Sequence, residues 1–226
     1  NNLAAEHGGA VFCSSITSVE SLYSNFKRNR AIKGGSVIRL YIVEFFTCIN
    51  STFIKNGEDS DAILWIHKFS LVQIINSIFQ KHQISAMDLQ EGKMLIIFRT
   101  IFAKLNSKAN YGGGIYTDKC EFIRVNSCYF MGNTIHNKGG GALILDSTSC
   151  IIISSVFDGN NAKGNGGGLY IGSVETLYIQ NCSFIKNQGA CGGGLHIWHA
   201  NYSVVIRNKF VQNSVTDNGA ALYIYS

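Results

Sequence analysis

Asn181-Cys182-Ser183-Phe184-Ile185-Lys186-Asn187, running on through Gln188-Gly189-Ala190-Cys191 to Gly192-Gly193-Gly194-Leu195, holds every element of a pattern that comes round eight times in the chain. A repeat of that kind decides the fold before any single residue does. Two anchors set the register. One is a Phe closing a short apolar run: Phe26, Phe53, Phe79, Phe102, Phe130, Phe157, Phe184 and Phe210. The other is the residue just before the next apolar strand: Ala10, Val37, Ile63, Ala86, Gly114, Gly141, Gly168, Gly194 and Ala221. Anchor to Phe is 16 residues in all eight repeats, whereas Phe to the next anchor varies from 7 to 12. One side of the repeat is rigid and the other is a loop.

Inside the constant segment, period-two alternation marks strands. Positions one and three after the anchor, such as Ile38 and Leu40 or Leu169 and Ile171, point inward. A second strand places its inward residues seven and five before the Phe, as in Val72 and Ile74 or Leu177 and Ile179. A bend three before the Phe carries Asn50, Asn76 and Asn181, and Asn tolerates the left-handed conformation of a sharp turn. A small residue then opens a third short strand that ends in the Phe. Three short strands per period of about 27, with no helical stretch, can pair only with their copies in neighbouring repeats. The fold class is therefore all-β, a single right-handed parallel β-helix of about eight coils over residues 10 to 226. Coils about 4.8 Å apart make a rod roughly 40 Å long. Six Asn three beyond the Phe form a structural ladder, with His82 and Leu105 in the two remaining places. Residues 79 to 113, where that ladder is broken and the loops are shortest and longest, are the expected irregular part of the rod.

Phe-x-x-Asn, at Phe26 to Asn29, Phe53 to Asn56, Phe130 to Asn133, Phe157 to Asn160, Phe184 to Asn187 and Phe210 to Asn213, combines with Gly8-Gly9-Ala10-Val11 and Gly140-Gly141-Ala142-Leu143. The combination resembles the repeat of the chlamydial-type polymorphic membrane proteins and of related right-handed parallel β-helix surface proteins, in the pectate-lyase-like superfamily of folds. The resemblance implies an extracellular passenger or adhesin-like role and carries over no catalytic residue.

Composition bounds the rest. At 226 residues and 46% hydrophobic, the chain can bury a sizeable core as one domain, residues 1 to 226. Its start at Asn1-Asn2-Leu3, without Met or a signal pattern, suggests an excerpt of a longer repeat protein or a mature product. No run of 18 apolar residues is free of charge or Gly, so no membrane insertion is expected within the segment. The net charge of +5 is scattered over loops as single Lys and Arg, Lys33 and Lys108 among them, which argues for solubility and against nucleic acid. Cys13, Cys48, Cys128, Cys150 and Cys182 fall in inward slots as small hydrophobes, while Cys120 and Cys191 are assigned to loops as the more reactive pair. Three glycosylation acceptors stand at Asn50, Asn181 and Asn201. The first two coincide with the Asn bend, and Asn201 is placed in an outer loop.

The outward face of the first strand should be solvated, yet it carries Trp65, Tyr116, Tyr170, His196, Trp198 and Tyr223. Such a stripe is a binding platform, a covered surface, or cross-strand pairing that stabilises the sheet. An enzyme is the competing class. Asp88 and Asp118 point outward on neighbouring coils, roughly 8 Å apart at Cα, within the carboxyl range of inverting glycosidases. The tight Asp cluster with His and basic partners of such hydrolases is not evident, and His196 and His199 diverge, so no metal or cofactor is expected. The expectation is a non-catalytic structural or adhesive module of a secreted or cell-surface protein. Its partners would be other segments of the same protein or an assembly, met through the coil ends and aromatic face, with carbohydrate also considered. A polysaccharide-binding or polysaccharide-cleaving β-helix is the alternative.

Overall fold

The computed structural model describes residues 2–31, 37–57, 62–107 and 112–225, so Lys33, Lys108 and residues 108–111 of the expected irregular segment lie outside it. All strand pairings are parallel. Long strands such as Val11–Leu22, Ile38–Ile49, Leu169–Gln180 and Leu195–Ile206 build a nine-stranded sheet in simple coil order. Three-residue strands centred on each Phe, from Asn25–Lys27 to Lys209–Val211, build an eight-stranded sheet. A five-stranded sheet of two-residue strands, from Asn106–Ser107 to Ser214–Val215, follows the Asn ladder. The register pairs Phe with Phe, coil on coil. The solenoid with its eight-Phe sheet is the all-β architecture that the repeat implied.

The division of the coil into strands differs from the expectation. The two strands read from the alternation are one continuous strand that turns at a left-handed residue five beyond the anchor. Ser15, Ile42, Lys68, Glu91, Lys119, Asp146, Ser173 and His199 all have φ between 45° and 65° there. Nothing in their chemistry is shared, so the alternation simply broke at this point. Further corners fall three before the Phe, where Asn50, Asn76 and Asn181 have φ of 49°, 48° and 53°, and two beyond it.

Each corner leaves backbone groups that cannot bond within the strand ladders, and side chains satisfy them along the axis. The Asn column does this twice per coil. Oδ1 of Asn160 accepts from the Asn133 amide at 3.1 Å while its Nδ2 donates to the Phe130 carbonyl at 2.9 Å. Asn187 repeats both bonds against Asn160 and Phe157. A second column, two before the Phe, was legible only as a preference for small residues. Its hydroxyls accept from the amide one coil back, Ser51 from Ser24 at 3.1 Å and Ser77 from Ser51 at 3.2 Å, and donate to the carbonyl two residues before. Between these columns the eight Phe rings form one continuous stack, with centroids 4.4 to 5.4 Å apart and interplanar angles of 2° to 11°.

The bend also corrects the placement of two side chains. Cys120 is no loop residue: it lies in Ile115–Asn126, fully buried, and burial pushes its thiol up to about 12, far from reactive. Asn201 lies within Leu195–Ile206, exposed on a strand and not in a loop. The left-handed residue resets the alternation, so the next position along, that of Cys120, points inward. All seven Cys are free thiols, and only Cys13 and Cys191 are partly accessible.

In that same inward column Phe69 fills the space above Gly92, and a Cβ added to Gly92 would fall on the Phe69 ring. With the ring buried, it has nowhere to retreat. Gly92→Ala should therefore cost about 1–3 kcal/mol of stability through overpacking, and Phe69→Leu in the same chain should recover most of it. Chemical denaturation of the two variants checks this; an undiminished midpoint for Gly92→Ala alone would contradict the packing.

Candidate functional site

The outward residues two and four beyond the anchor form two columns on the first half of the nine-stranded sheet, and the register aligns them coil by coil. In one column Tyr170, His196 and Tyr223 stack with centroids 4.7 and 4.9 Å apart. In the other, Trp198 stacks on Tyr225 at 4.4 Å, and Tyr41 on His67 at 5.1 Å. The expectation of a solvated stripe fails for half of it: Tyr116, Tyr170 and His196 are 8%, 3% and 1% exposed. The cover comes from the glycine turn before each strand. A Cβ on Gly166 or Gly192 would sit 2.7 Å from the Cβ of Tyr170 or His196, so the turn lies directly against the outward side chain. The Lys138 ammonium adds a cap 4.8 Å above the Tyr170 ring. The Gly-rich triplets were read as strand anchors, and their second use as a lid was the missed signal.

Trp65 is half-buried, with the Arg39 guanidinium 4.1 Å over its ring. Trp198 and Tyr225 are open, 43% and 50% exposed, as are Phe12 and Tyr41 in the first coils. Because neighbouring rings are nearly parallel and stacked along the axis, their faces are spent on each other and their edges meet solvent. A sugar platform needs free ring faces.

Asp88 and Asp118 lie on neighbouring coils, Asp88 beside Tyr116 and Asp118 beside Gln90. Their surroundings pull them apart chemically. The Asp88 carboxylate accepts from Gln90 Nε2 at 2.7 Å. Asp118 instead pairs with Asp146 of the next coil, and burial together with that neighbouring charge raises its carboxyl above the ordinary range. Asp146 occupies the left-handed corner, and along that corner Lys68, Glu91, Lys119 and Asp146 alternate in sign. Glu91 bridges Lys68 at 3.8 Å and His67 at 3.4 Å beside an open groove of about 540 Å³. Exposed pairs of this kind contribute about 0–1 kcal/mol each and chiefly penalise a slipped register. Asn50 and Asn181 are exposed at left-handed bends, as turn chemistry requires, and His199 sits at the corner facing away from His196. Among the described residues no cluster of three His, Cys, Asp or Glu has the grouping of a metal site, and no helix is long and apolar enough to cross a membrane.

The coil architecture defines a right-handed β-helix protein: residues 61–226 match the family model described as the right handed beta helix region, and the chain belongs to that family. It is also similar to a Dictyostelium discoideum protein named Metabotropic glutamate receptor-like protein R, at 29% identity over 130 residues. The match takes in 57% of this chain and 8% of that protein, so the chain spans a small part of its relative's length. No solved structure matches.

Two buried imidazoles give the rod a pH response. Burial lowers His196 from 6.5 to about 4, opposed by the Cys191 backbone beside the ring and reinforced by the Lys138 charge. Burial lowers His82 likewise to about 4; its Nδ1 lies 2.9 Å from the Asn56 amide, taking the acceptor role of a ladder Asn. Below pH 6.5 the unfolded chain binds protons that the folded chain refuses, so stability falls progressively from about pH 6.5 to 4. Denaturation midpoints across that range should show the slope, and His82→Asn, which restores the ladder amide, should flatten it; an unchanged slope would count against His82.

Proposed function

We propose that this chain is a non-catalytic structural or adhesive module of an extracellular or cell-surface protein, packing laterally through the open part of its aromatic face and axially through its coil ends. The observation that carries the proposal is the Trp198–Tyr225 pair. These are large, exposed, pre-stacked rings continuous with the Tyr170–His196–Tyr223 column, of which Tyr170 and His196 are buried, so a partner extends an ordered surface and immobilises few side chains. The Phe-x-x-Asn and Gly-Gly-Ala motifs, similar to those of the polymorphic membrane proteins, support a surface location. So does the receptor-like name of the Dictyostelium relative.

The polysaccharide-cleaving alternative draws on one observation, the raised carboxyl of Asp118, which is the property of a general acid. Burial and the Asp118–Asp146 contact account for it without a substrate. The test is light scattering of the chain beside a Trp198→Ser/Tyr225→Ser variant. The proposal expects concentration-dependent self-association that the variant weakens at least about tenfold, since interface aromatics dominate such contacts. A strictly monomeric chain, or association indifferent to both substitutions, would overturn it. Polysaccharide cleavage abolished by Asp118→Asn would establish the alternative.

A further inference from the structure

At the corner two residues beyond the Phe, four consecutive coils carry Arg28, Lys55, Lys81 and Lys104, with φ of 56°, 51°, 59° and 54°. Their amides step up the rod, Arg28 to the Ile54 carbonyl at 3.3 Å, Lys55 to Gln80 at 3.2 Å and Lys81 to Ala103 at 3.0 Å. The four residues therefore form one axial column at the interstrand spacing of about 4.8 Å. All four are exposed.

The fold itself does not ask for cations here. In the next two coils the same corner is Gly132 and Gly159, where an added Cβ would meet nothing within 4 Å. The position faces open solvent, and glycine adopts the left-handed conformation without cost. A run of Lys and Arg here accepts backbone strain and stacked like-charge repulsion that glycine would avoid. Among the described residues none of the four pairs with a carboxylate. The flanking strands Asn25–Lys27, Thr52–Ile54, Ile78–Gln80 and Ile101–Ala103 contain no acid either. Lys55, Lys81 and Lys104 line a concavity of about 380 Å³ together with Gly57 and Gln83.

We propose that this cationic corner binds an acidic linear polysaccharide, sulfated or uronate-bearing, laid along the rod axis with its anionic groups on successive lysines. A stiff chain with an acid on each sugar or alternate sugar meets a column of equally spaced ammonium groups without bending, and Gln83 offers an amide to its hydroxyls. Single-stranded nucleic acid fits less well, because bases need aromatic stacking platforms and, among the described residues, no aromatic side chain lines the concavity. The corner is separate from the aromatic face, so either proposal can fail alone.

The probe is heparin, with binding measured by calorimetry at two salt concentrations. Lys55→Asn/Lys81→Asn/Lys104→Asn removes the charges while keeping a residue that accepts the left-handed corner, so the fold is retained. The control, Lys93→Asn/Lys163→Asn/Lys209→Asn, removes equal charge from exposed positions elsewhere. The corner variant should bind at least about tenfold more weakly and with a shallower salt dependence, and the control should bind like the parent. Equal weakening in both variants, no binding by the parent, or a single-stranded oligonucleotide bound as tightly as heparin would overturn the proposal.

Discussion

The structure depends on a single constraint: every backbone group at a coil corner must be satisfied along the axis, by the coil before or after. Strand ladders serve the flat faces, but each left-handed corner turns amides and carbonyls out of ladder register. The Asn column closes that gap by spending one side chain on two backbone groups of the preceding coil, as Asn160 does with the Asn133 amide and the Phe130 carbonyl. At the corner before each Phe the hydroxyls of Ser51, Ser77 and Ser155 accept from one amide of the preceding coil and donate to a carbonyl of their own coil. With these partners supplied, the Phe rings are held one above another at near-constant spacing, and the interior becomes a set of parallel columns.

That arrangement separates structure from function. Inward positions are committed to columns that tolerate little change, whereas corner and outward positions are nearly free. The two places where the chain puts unexpected chemistry on free positions are the exposed Trp198–Tyr225 rings and the Arg28–Lys104 cationic column. Both run along the axis because the register makes every outward choice repeat at the interstrand distance. Both proposals therefore concern partners with a linear periodicity of their own, or with a flat edge.

Much of this was legible in the repeat. The constant 16-residue segment located the Phe stack and the Asn ladder, because both obey a strict register and use one residue type. The corner five beyond the anchor was not legible, since Ser, Ile, Lys, Glu, Asp and His all occupy it and only the backbone angle is shared. From that one omission came the misplacement of Cys120 and Asn201. The outward aromatics were found but not their cover, because burial of Tyr170 and His196 arises from a glycine turn that lies against them, which no alternation pattern encodes. The Asp118–Asp146 pair was hidden for the same reason as Cys120: Asp146 sits on the unrecognised corner.

The most direct measurement of the account is the unfolding free energy of Asn160→Leu, which keeps the side-chain size and removes its hydrogen bonds. The Asn133 amide and Phe130 carbonyl would then be buried without partners, and the account predicts a loss of about 2–4 kcal/mol from two such groups. A variant within about 0.5 kcal/mol of the parent, the range of an ordinary surface substitution, would show that the ladder is not what closes the corners.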